Sequence, residues 1–155
     1  KEVVGSQDQI AASYGGFNKI IFNNKGKFTV VPIKVKRNKL KTLNQNLLLV
    51  YTGLGRTAQH IAKSYVNKLQ GSKKKHIHEI INLVHEGEKV LQSGNINEFG
   101  RLLHESWLVK KGLSSSITNS SIDEIYNSAM NEGALGGKLL GAGGGGFFFI
   151  LRTKI

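Results

Sequence analysis

The sequence contains no cysteine. That excludes a disulfide framework and thiolate metal sites, and it fits a reducing compartment, so a cytoplasmic protein is expected. No run of eighteen apolar residues occurs, and the longest, Phe147 to Leu151, is only of strand length, so a transmembrane helix is not expected. The opening Lys1-Glu2-Val3-Val4 has neither an initiator Met nor the apolar core of a signal peptide, and the chain is expected to begin inside a longer one. Acidic residues are scarce: Asp and Glu number 10 against 22 Lys and Arg, a net charge of +12. Such a surplus points to an anionic partner, whether nucleic acid, an acidic membrane surface or a phosphorylated small molecule. The plainer reading is a basic proteome or the absence of an acidic half. No internal repeat is visible.

What is present suits a globular chain, with 39% hydrophobic residues over 155 positions. Ser6 and Gln9 have the spacing of a capping box, and a helix is predicted from there to Tyr14, ended by Gly15-Gly16. Phe17 to Phe22 and Lys27 to Ile33 read as two strands of a hairpin around Asn23-Asn24-Lys25-Gly26. Beyond the single proline, Pro32, the basic stretch Lys34 to Lys41 reads as a connector. Asn46 to Thr52 reads as a strand, and Ala58 to Leu69 as one helix with Ala58, Ile61, Ala62, Tyr65, Val66 and Leu69 on one face. Two more helices follow, marked by Ile77 to Leu91 and by Ile96 to Trp107. A polar loop from Gly112 leads to a second capping box, Ser121 and Glu124, and a further helix. The end reads strand, glycine loop, strand. A hairpin, a helical middle and a closing strand pair define an α+β class.

Two segments carry chemistry. The loop Gly141-Ala142-Gly143-Gly144-Gly145-Gly146 lies between apolar strands, where glycines let the backbone approach another backbone or an anion closely. A plain tight turn is the alternative, and no Gly-Lys-Ser/Thr follows to make it a Walker loop. In Gly5-Ser6-Gln7-Asp8-Gln9, Asp8 stands in a first helical turn, where the dipole favours a negative charge that can accept a proton from an alcohol. The plainer reading of Asp8 is a residue that merely suits the dipole. Arg56, after a strand, is either a solvated arginine or a fork onto a phosphate; Lys138 is either a strand-edge lysine or a phosphate neighbour. His60, His76, His78, His85 and His104 lack the spacing of a metal site, and none is expected. His104, three residues before Trp107, is expected to pack at a helix edge.

Together these segments resemble the GHMP kinases. Their third signature, a glycine-rich loop before an apolar strand, is similar to Lys138 to Phe149, and the Gly-x-x-Asp-Gln segment that holds the catalytic aspartate in their sugar kinases is matched by Gly5 to Gln9. Gln7-Asp8-Gln9, Gly15-Gly16-Phe17-Asn18, Tyr51-Thr52-Gly53-Leu54-Gly55-Arg56 and Gly136 to Phe147 resemble the D-glycero-D-manno-heptose 7-phosphate kinases in particular, although fucose kinase domains share parts of them. The resemblance implies a ferredoxin-like C-terminal domain over residues 45–155, a helix and hairpin from the N-terminal domain over 1–33, and a connector over 34–44. It implies phosphorylation of the anomeric hydroxyl of a heptose 7-phosphate, with ATP and Mg2+. Asp8 would be catalytic, Gln9, Gly15, Gly16 and Arg56 would bind substrate, and Gly141 to Gly146 would pack on the ATP phosphate loop. That loop, of Pro-x-x-x-Gly-Leu-Gly-Ser-Ser type, is absent here. These 155 residues alone are therefore expected to be inactive and to associate through the surface the absent half would cover. A fucose- or galactose-type kinase of the same superfamily is the alternative. A basic nucleic-acid-binding module is a second, but no aromatic residues interleave the Lys34 to Lys41 run, so neither nucleic acid nor a membrane is the expected partner.

Overall fold

The computed structural model describes residues 5–23, 25–55, 58–69 and 71–153. The chain opens with helix α1 (Gln7–Tyr14), followed by strands β1 (Asn18–Phe22) and β2 (Phe28–Pro32), which pair antiparallel with Ile20 opposite Val30. Helix α2 (Arg37–Asn46) runs directly into β3 (Leu47–Tyr51). Helix α3 (Ala58–Lys63) and a 3-10 turn at Val66–Lys68 come next, then the long helices α4 (Lys74–Ser93) and α5 (Ile96–Lys111). A second 3-10 turn at Ser115–Ile117, α6 (Ser120–Asn131), β4 (Ala134–Leu139) and β5 (Phe147–Arg152) complete the chain. β5 lies between β3 and β4 and pairs antiparallel with both, Leu49 and Lys138 standing opposite Phe149 from either side. The α+β class expected from the sequence is the one observed, and the closing strands share a sheet with residues 47–51 as their patterning requires.

Local chemistry departs from expectation in four places. Ser6 stands at the N-cap of α1 without a side-chain cap bond, so its capping box does not form. α6 is capped two residues earlier than Ser121, by Asn119, whose side chain accepts from the Ile122 amide at 3.0 Å. An Asn in extended conformation can present its carbonyl to the first turn, and it does so ahead of the serine. Residues 58–69 form one short helix and a 3-10 turn instead of one helix, with the break at Ser64 and Tyr65. The basic run Lys34 to Lys41 contains the first half of α2. Its polarity concealed the Leu40 and Leu43 pair at helical spacing, of which Leu43 is buried. Lys39 is explained by the same helix: its ammonium donates to the carbonyls of Gln92 and Ser93 at 2.8 and 2.6 Å, capping the C-terminus of α4.

The core lies between the three-stranded sheet and α5 and α6. Trp107, Ile117, Ile122, Leu139, Phe148 and Leu151 are fully enclosed. The rings of Trp107, Tyr126 and Phe148 form a triangle with centroids 5.6 to 6.1 Å apart. α5 reaches this core because its apolar positions, Phe99, Leu102, Leu103 and Trp107, recur at helical spacing behind an Asn95 cap that accepts from the Glu98 amide. His104 packs at that helix's edge as the sequence suggests. Its ring stacks on Tyr126, and its Nδ1 lies 2.7 Å from the Tyr126 hydroxyl.

Burial pushes the Tyr126 phenol up from its ordinary value near 10 to about 12. The folded chain therefore holds this proton more tightly than the unfolded chain does. The stability this confers is complete below pH 10 and is lost as the pH rises from 10 towards 12. Urea unfolding followed across that range is expected to show the decline, and Tyr126→Phe should show less of it.

Candidate active site

The glycine loop is braced from three sides. Thr52, one residue beyond β3, donates its amide to the Gly146 carbonyl at 2.9 Å. Its hydroxyl lies 2.9 Å from the same carbonyl and 3.1 Å from the Gly146 amide. From below, the largely buried Lys110 of α5 donates to the Leu139 and Gly141 carbonyls, both at 2.7 Å, where β4 turns into the loop. On the third side the Gly144 amide donates to the Ile117 carbonyl at 2.8 Å. A side chain has no room there: a Cβ on Gly144, at φ +73°, would come within 2.8 Å of Ile61, and one on Gly145 within 2.5 Å of the Leu54 carbonyl. These glycines are thus required by close backbone approach, the first of the two uses the sequence suggests. Because the Gly144 and Gly146 amides are committed within the chain, the loop is a rigid, shaped edge.

Asp8 stands in the first turn of α1 and is exposed, as is Gln9. α1 ends at Gly15 and Gly16, at φ +59° and +72°, where the left-handed backbone turns the chain into β1. The Asn18 amide group donates to the Gly15 carbonyl at 2.5 Å and closes that turn. Arg56 lies outside the described residues.

A groove of about 480 Å³ separates α1 and the β1–β2 hairpin from α4 and α5. Gln7 and Ala11 of α1 line it, as do Lys19, Leu103, Ser106 and Lys138; Asp8 is not among its lining residues. Lys19 is ion-paired with Glu88 across it, at 2.5 Å. Lys138 projects from β4 onto α5 and donates to the Ser106 hydroxyl at 2.9 Å. Burial holds its ammonium below the usual lysine range. No carboxylate lies within ion-pair distance of Lys138 among the described residues. The structure therefore joins α1 and Lys138 along one groove and holds the glycine loop apart as a braced turn.

Sequence reasoning missed Lys110 and Thr52. A lysine in a last helical turn reads as a solvated dipole partner, and only the packing of α5 beside β4 turns it under the loop. Thr52 falls within the Tyr51 to Arg56 segment, but nothing in that segment indicates its hydrogen bonds to a residue 94 positions away. Among the described residues no group of three His, Asp or Glu could hold a metal ion, and two amides of the glycine loop, those of Gly144 and Gly146, are spent within the chain.

Residues 88–154 match the family model described as GHMP kinases C terminal. Over 155 residues the chain is 34% identical to the D-glycero-alpha-D-manno-heptose 7-phosphate kinase of Campylobacter jejuni, covering 98% of this chain and 46% of that protein. Among solved structures, a D-glycero-D-manno-heptose 1-phosphate kinase from Bacteroides thetaiotaomicron is 28% identical, with a TM-score of 0.55 over 96% of this chain and 38% of that one. The mevalonate kinase of L. major, at 23% identity, shares the fold with a TM-score of 0.78 over 95% of this chain and 43% of that one. The chain thus spans less than half the length of each.

Proposed function

We propose, from the premise that this chain belongs to the GHMP kinases and carries their C-terminal domain, that it is part of an ATP-dependent kinase phosphorylating the anomeric hydroxyl of a heptose 7-phosphate. The observation that carries this reading is 34% identity with the Campylobacter heptose 7-phosphate kinase over 98% of the chain. In this reading residues 1–33 belong with the N-terminal kinase domain and residues 45–155 form the C-terminal one.

This reading gives each candidate residue a role. Asp8, exposed at the start of α1, accepts a hydrogen bond from the sugar hydroxyl and takes its proton as the phosphoryl group arrives. Gln9, Gly15, Gly16 and Arg56 contact the sugar phosphate. The braced edge of Gly141 to Gly146 packs against the loop that holds the ATP phosphates, and its rigidity keeps the reacting groups in place. ATP and Mg2+, which supply the phosphoryl group and neutralise its charge, are held mostly by residues outside this chain. The exposed rings of Tyr14, Phe22 and Phe28 belong to the surface the rest of the enzyme covers, and without it these 155 residues self-associate.

The deciding experiment is phosphorylation by the full-length enzyme of heptose 7-phosphate, galactose and fucose, compared by kcat/KM, alongside the isolated 155 residues. Heptose 7-phosphate should be preferred, and the isolated chain should show no turnover. A preference for fucose or galactose would reassign the substrate, and turnover by the isolated chain would remove the need for the absent phosphate loop.

A further inference from the structure

We propose that Lys138 and Ser106 form an anion subsite on the wall of the groove between α1 and α5, and that it takes the phosphate monoester of the sugar substrate. The inference rests on the sugar phosphate kinase reading for its ligand, but its geometry stands apart from the residues that reading assigns.

Lys138 has three N–H donors. One is spent on Ser106, and among the described residues no carboxylate answers its charge. The other groove lysine, Lys19, is already neutralised by Glu88. A cation under apolar cover without a counter-ion is costly, and a bound anion supplies what the chain withholds. Ser106 is itself buried and accepts from Lys138, so its own hydroxyl proton is left to donate to the same anion. Most of the remaining lining is apolar, Leu83, Phe99, Leu102 and Leu103 among it, alongside the Lys19–Glu88 pair, and an apolar surround strengthens the attraction. A volume of about 480 Å³ with mainly apolar walls and a few converging polar groups is that of a small-molecule site.

The placement also suits the reaction. Gln7, which also lines the groove, is the residue before Asp8. A sugar phosphorylated on its terminal carbon carries its phosphate and its anomeric hydroxyl at opposite ends. With the phosphate on Lys138, the sugar extends along the groove towards the start of α1. Lys138 is then a determinant of specificity for phosphorylated over free sugars, acting on binding and not on the transfer step.

The test is calorimetric binding of mannose 6-phosphate and of mannose to the full-length protein without nucleotide, so that its result does not depend on catalysis. Wild type should bind the phosphorylated sugar the more tightly. Lys138→Met should weaken mannose 6-phosphate by roughly ten- to a hundredfold, the factor for one charged hydrogen bond, and leave mannose unchanged. Should Lys138→Met fail to fold, Ser106→Ala must weaken mannose 6-phosphate and not mannose. Equal binding of the two sugars by wild type, or no selective loss in the variants, overturns the subsite. Absence of kinase turnover with selective binding intact would instead count against the kinase reading alone.

Discussion

Asp8→Asn in the full-length enzyme is expected to lower kcat on heptose 7-phosphate by about a hundredfold or more, the loss that accompanies removal of a general base. The substitution keeps the size and the helix-start position of the side chain but removes its negative charge and its ability to take a proton. ATP affinity should hardly change, because the proposed reading places the loop for the nucleotide phosphates outside these residues. Sugar affinity should fall modestly, since an amide can still make one hydrogen bond to the hydroxyl. The exposure of Asp8 matters here: a solvated carboxylate at a helix start carries no packing, so a fall in kcat cannot be attributed to unfolding. Steady-state kinetics with galactose and fucose as comparison substrates decide the matter. If kcat on the best substrate stays near that of wild type, Asp8 serves only the helix dipole.

Gly136→Ala should have the largest effect on stability, on the order of 4 kcal/mol or more. A Cβ at Gly136 would lie 1.9 Å from the Gly100 carbonyl oxygen, while a Cβ at Gly100 would lie 2.4 Å from Leu135. α5 and β4 therefore meet backbone to backbone at this crossing, and neither can give way without separating the helix from the sheet edge. The effect should reach the groove and the loop as well, because the same approach sets Ser106 beside Lys138 and Lys110 beneath Leu139 and Gly141. Gly5→Ala, with open space around it, is the control and should cost almost nothing. Urea unfolding of the three proteins checks this; a loss below about 1 kcal/mol for Gly136→Ala would mean that the crossing relaxes freely.

Much of this molecule follows from local patterning alone. The hairpin of residues 18–32, the positions of α4, α5 and α6, and the strand–glycine loop–strand ending all repeat the spacing of apolar residues and the placement of glycine, because helix and strand periods are written within a few residues of each other. The kinase-like segments at Gly5 to Gln9 and Gly136 to Phe147 are contiguous and for the same reason are legible without any structure. Where local signals competed, they misled. Ser121 and Asn119 can both cap a helix, and which one does depends on where the chain enters it. The lysines of residues 34–41 hid a helix whose stabilisation comes from burying Leu43 and from Lys39 reaching the end of α4, some fifty residues on. Contacts between distant segments belonged to the tertiary structure alone: Thr52 on Gly146, Lys110 under the glycine loop, Gly100 against Gly136, and Lys138 on Ser106 in the groove. A lysine's residue type leaves open whether it meets water, a carbonyl or an empty groove. The packing of α5 along β4 decides that, and with it which of the chain's many cations has an anion still to find.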